Sequence, residues 1–130
     1  MRAILIDAKM RTITEVDLPS DYPALTDAML GHVGAQLLTT AGRDRDTGDV
    51  MYVDDIGLYR KGDQPGFIFS SWHPEPMVGN GLILGCDGGG ETRPARTKLA
   101  RVVDELHFII HKFEDHDNLT RKGEAQWQKQ

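Results

Sequence analysis

The stretch from Val50 to Glu91, VMYVDDIGLYRKGDQPGFIFSSWHPEPMVGNGLILGCDGGGE, constrains the fold more than any other part of the chain. It reads as a strand, a turn, an irregular loop, a second strand and a glycine run. Val50 to Asp54 places Met51 and Val53 on one face and Val50 and Tyr52 on the other, because side chains alternate along a strand. Gly57, Gly62, Pro65 and Gly66 then punctuate the chain around a brief apolar run, Phe67 to Phe69. Trp72-His73-Pro74-Glu75-Pro76 must be extended or turned, since two prolines forbid regular helix. Met77 to Cys86 reads as a strand with Gly79 and Gly81 inside it. Such glycines mark a bulge or the close approach of another backbone. The stretch is dense in fold instructions and poor in chemistry. It holds no metal quartet and no phosphate-cradling loop with its lysine.

The flanking segments supply partners for these strands. Arg2 to Asp7 and Thr12 to Asp17 are short β-prone runs a few residues apart, the pattern of a hairpin. Residues 22–30 carry Leu25, Ala28 and Met29 at helical spacing. Ser20 or Asp21 is placed to cap that helix, Pro23 falls in its first turn and Gly31 follows its end. Val33 to Thr40 predicts a strand. Gly42 to Asp49, GRDRDTGD, predicts a solvated hairpin loop. The longest periodic signal comes last. Leu99, Val102, Val103, Leu106, Ile109, Ile110 and Phe113 recur at three and four, which predicts a long helix over residues 93–113 capped by Thr92. Residues 114–130 are polar and without period, and predict a flexible tail.

The expectation is therefore one α+β domain over residues 1–113. It has about five mostly antiparallel strands, a short helix, a long C-terminal helix and both helices on one face. At 130 residues the chain has room for one modest core. Its formal net charge of -5 disfavours direct binding to nucleic acid, whose phosphates reward a basic surface. The single cysteine, Cys86, forms no internal disulfide and reads as a buried, inert thiol. No apolar run approaches the roughly 18 residues of a membrane span, and the N-terminal run is too short for a leader. A cytoplasmic location without membrane partners is the expectation.

Three segments carry a resemblance: MRAILIDAKMRTITEVDLP at the start, VMYVDDIGL at Val50 to Leu58, and PMVGNGLILGCDGGGE at Pro76 to Glu91. Residues 1–91 resemble a family of small proteins from bacteriophages, plasmids and other mobile elements, a domain type without assigned function. Members follow the YVDDIGL-like element with a loop containing Pro-Asn, where this chain has RKGDQPGFIFSSWHPE. The resemblance implies a mobile-element accessory protein and brings no activity with it.

The residues best placed for binding a protein or small ligand are Tyr52, Phe67, Phe69, Trp72, His73 and Asn80. Aromatics on an irregular loop can form a recognition surface, or equally a lid over the sheet. No catalytic residue, cofactor or resident metal is expected. Asp104, His107 and His111 could share a metal if they lay one turn apart on the C-terminal helix, although Phe108 stands where a metalloprotease helix needs glutamate. That helix could instead present a homodimer surface. Asp54 and Asp55 are neighbours on a strand end, so they face opposite ways and read as turn formers. Gly88 to Gly90, followed by Arg93, Arg96 and Lys98, could attract an anion, with Glu91 opposing. Three functions follow: an accessory binding protein, a metal-dependent protein using the histidine helix face, or an acidic inhibitor of a nucleic-acid-binding defence system.

Overall fold

The computed structural model describes residues 1–59 and 61–113. The tail expected at 114–130 lies outside the described residues. Arg2–Asp7 (β1) and Thr12–Asp17 (β2) pair antiparallel, Arg2 opposite Asp17 through Asp7 opposite Thr12, so the expected hairpin is present. Leu38–Arg43 (β3) and Val50–Asp54 (β4) form a second antiparallel pair. Gly81–Cys86 (β7) lies between the two hairpins, antiparallel to both β1 and β4. The order across the sheet is β2-β1-β7-β4-β3. A short strand, Thr92–Arg93 (β8), pairs with the end of β7.

A second sheet was not expected. Gly62–Ile68 (β5) is its centre, flanked by Met77–Val78 (β6) and His107–Phe113 (β9), all antiparallel. β5 escapes a sequence reading because GDQPGFI carries two glycines and a proline. Pro65 survives there for a geometric reason. Its carbonyl accepts from the Gly79 amide, so its missing N–H points the same way, past the two residues of β6.

The long helix over 93–113 is overturned. A helix covers only Leu99–Glu105 (α2), and Leu106 is already extended at φ -92° and ψ 141°. The seven residues after it pair one for one with β5, from His107 opposite Ile68 to Phe113 opposite Gly62. Leu99, Val102 and Leu106 keep the helical spacing. Phe108-Ile109-Ile110 satisfies either period, and β-branched and aromatic residues favour the strand. Pairing also satisfies the backbone groups of β5, which a helix would leave orphaned. The dimer surface posited on that helix therefore does not exist as drawn.

The main sheet is covered on both faces, not one. Ala24–Val33 (α1) lies on the first face, where Leu25, Met29 and Val33 meet Ala3, Leu18, Leu82 and Leu84. Gly34, at φ 73°, ends that helix with its amide bonded to the Leu30 carbonyl; Gly31 sits inside it. The second sheet and α2 cover the other face. Phe67, Phe69, Trp72, Met77, Val102 and Leu106 pack there on Ile4, Ile6, Met51, Val53 and Ile83. The alternation along β1, β4 and β7 is what divides these two sets. Gly81 faces the Phe67 ring, and a Cβ there would lie 2.7 Å from Cζ.

The loop GRDRDTGD is not a solvated surface. Asp44 is 5% exposed and Asp49 is fully buried. Asp49 Oδ2 accepts from the amides of Arg96 (2.8 Å) and Thr97 (2.7 Å) and from the Thr97 hydroxyl (2.7 Å). It thereby pins the segment leading into α2 against the start of β4. Asp44 Oδ2 accepts from the amide and hydroxyl of Thr47 and pairs with Arg101 Nη1 at 3.0 Å. Burial pushes the Asp44 carboxyl up, but Thr47 and the Arg101 guanidinium outweigh it and hold the pKa below 3.8. A depressed folded pKa stabilises above the unfolded value and is lost as pH falls through the folded one. Asp44→Asn should thus cost about 2 kcal/mol at neutral pH. The gap to the unmutated protein should close as pH drops below 3.8, read from urea midpoints on both sides of that value.

Candidate functional site

The six residues expected to bind do not converge. Phe67 and Phe69 are fully buried and Trp72 is 8% exposed. Phe69 and Trp72 stack at 5.1 Å between centroids, and Arg101 lies 5.9 Å from the Trp72 ring centre. These three rings are the core under the second sheet, the lid and not the recognition surface. Tyr52 is half-buried on the α1 face. Burial, then the neighbouring Cys86, pushes its phenol above 10.0, against a hydrogen bond with Thr92. Asn80 is a brace. Its side chain accepts from the Ala8 amide and donates to the His32 carbonyl, tying the end of β1 to α1.

The metal set is also dispersed. Asp104 lies on α2, while His107 and His111 lie on β9. Four residues along a strand span about 13 Å, too far to share one ion. Among the described residues no three His, Cys, Asp or Glu groups are placed to hold a metal. Cys86 is half-buried, and not sealed as expected.

Of the six residues expected to bind, His73 lines a cleft at the edge of the main sheet. It sits between β3 and the segment 73–78, with a volume of about 220 Å³. Thr39, Thr40 and Ala41 form one wall, and Val53, Met77 and Val78 line it from the core side. Asp54, Asp55, Tyr59, His73, Glu75 and Pro76 complete the lining. The Glu75 amide lies 3.2 Å from His73 Nδ1, which fixes the ring against its own loop. Gly42 follows Ala41 on β3. At φ 116°, its Cβ position falls against the Trp72 carbonyl, so only glycine fits the bulge between Thr40 and Arg43.

β3 is an edge strand. The Asp55 amide donates to the Leu37 carbonyl at 3.1 Å, so Leu37 and Thr39 direct their backbone groups toward β4. Leu38 and Thr40 alternate with them and direct theirs outward. Among the described residues no backbone group answers them. The opposite edge, β2, carries Glu15 and Asp17, charges that discourage a further strand. β3 carries neutral Thr39 and Thr40 at its start and a single charge, Arg43, at its end. Leu37 is 66% exposed, Ile56 52% and Tyr59 71%. Leu37 and Ile56 line a second cleft of about 290 Å³ at the start of β3, with Gly34, Gln36 and Asp54.

Of the larger hollows, the one of about 330 Å³ is lined by Arg96 and by Asp49, whose buried Oδ1 has no hydrogen-bond partner among the described residues. In the one of about 520 Å³ near the N-terminus, Arg93 pairs with Asp87 and Glu91, and the Tyr22 hydroxyl meets Thr92. The glycine run beside it is held by Asp87, which accepts from the Gly89 and Glu91 amides. The signal for the β3 site was thin in sequence: Thr-Thr before Ala-Gly, with Leu37 ahead and Ile56 after the returning strand. No family model, curated protein or solved structure matches this chain.

Proposed function

We propose that this chain is a non-enzymatic accessory protein of a mobile element, and that it works by binding an extended segment of a partner protein along β3. The observation that carries the reading is the outward backbone of Leu38 and Thr40, on an edge whose first five residues, 38–42, carry no charge and lie beside two clefts. An added strand gains main-chain hydrogen bonds from such an edge and side-chain selectivity from the pockets beside it. Exposed Leu37, Ile56 and Tyr59 supply apolar area at the same place. The mobile-element part of the proposal rests on the resemblance of residues 1–91.

The test is selection of a random-peptide display library on the immobilised protein, followed by amide hydrogen exchange of the complex. Bound peptides should slow exchange at Leu38 and Thr40. Protection confined to β9 or to acidic surface away from β3 would refute the reading, as would a library that yields no binder.

A further inference from the structure

We infer that the segment bound along β3 carries a basic side chain opposite Asp55 and Glu75, with an apolar side chain within a few positions of it. This rests on the β3-edge reading and adds the partner's chemistry to it. Asp55 and Glu75 are both exposed and both line the 220 Å³ cleft. Neither makes an ion pair among the described residues. The exposed ring of Tyr59 lines the same cleft, where an aromatic face adds to the attraction for a cation. A chain of net charge -5 reinforces that sign at long range.

The apolar side chain answers the neighbouring cleft. The Asp55 amide donates to the Leu37 carbonyl, so Leu37 of the second cleft stands directly opposite Asp55 of the first. Asp54 lines both clefts. A segment that fills the two therefore carries its basic and apolar side chains within a few positions of each other.

Two display libraries test this, alike except that one lacks lysine and arginine. The full library should give binders that protect Leu38 and Thr40, with a basic and an apolar residue within a few positions of each other. The library without basic residues should give binders at least about tenfold weaker. The double variant Asp55→Asn, Glu75→Gln should weaken the basic peptides about five- to tenfold, since rim ion pairs are individually small. It should leave peptides from the second library unchanged. Equal affinity from both libraries, with Leu38 and Thr40 protected, would overturn this inference and leave the edge reading standing. Binders that leave β3 unprotected, or self-association that protects it without peptide, would overturn both.

Discussion

Phe67→Ala should lower the stability by about 3–5 kcal/mol, the range for truncating a large buried aromatic. The ring is fully buried between the two sheets, against the Gly81 backbone and the Ile6 and Phe69 cluster. Truncation removes its burial free energy and leaves a void that the strands on either side cannot close. Small domains hold only about 5–15 kcal/mol in total, so the variant should sit near its unfolding midpoint. Phe67→Leu, which keeps most of the volume, should cost markedly less. Urea titration of the three proteins decides the matter. A loss under about 1 kcal/mol for the alanine variant would mean that the ring is exposed, as a recognition residue on a loop would be.

Asp49→Ala should cost about 2–4 kcal/mol for a different reason. Three donors converge on one oxygen, and two of them are the amides of Arg96 and Thr97. Alanine leaves these donors without an acceptor, and Thr97 is only 1% exposed. Asp49→Asn can still present a carbonyl to them. It should fall between the wild-type protein and the alanine variant, having lost the charge but kept the acceptor. The order wild type, Asn, Ala in melting temperature identifies hydrogen bonding as the cause. Equal losses for both variants would point instead to the charge.

How much of this was legible depended on how local each signal was. β1, β2 and β4 lie where alternation and turn residues put them, because hairpin register is written in neighbouring residues. α1 runs to Val33 and not Leu30, because Gly34 has the positive φ that Gly31 lacks. β5 and β9 were invisible for one shared reason. Neither GDQPGFI nor HFIIHKF announces a strand alone, and each becomes one by pairing with the other. The period of three and four over residues 99–113 was real only as far as Leu106. Asp44 and Asp49 looked like surface charges because their donors Arg96, Thr97 and Arg101 lie far along the chain. The aromatic loop reads equally as a recognition surface or a lid; its rings fill the core, and of the six expected binding residues only His73 reaches the β3 cleft. Whether a strand is central or an edge is a property of the whole sheet, so no local pattern could mark β3.

The direct test of the β3 account is a pair of proline variants one residue apart. Proline on an edge is tolerated where its lost N–H faced outward, and costly where it served the ladder. Thr40→Pro should therefore keep a cooperative melt close to that of the wild type. It should also lose at least about tenfold in affinity for peptides that protect Leu38 and Thr40, the equivalent of one good hydrogen bond. Thr39→Pro removes a bond to Val53 and should destabilise the fold itself. The decisive measurement is peptide affinity of folded Thr40→Pro by fluorescence anisotropy. A tenfold loss with an intact melt is the predicted result, and wild-type affinity would contradict the account.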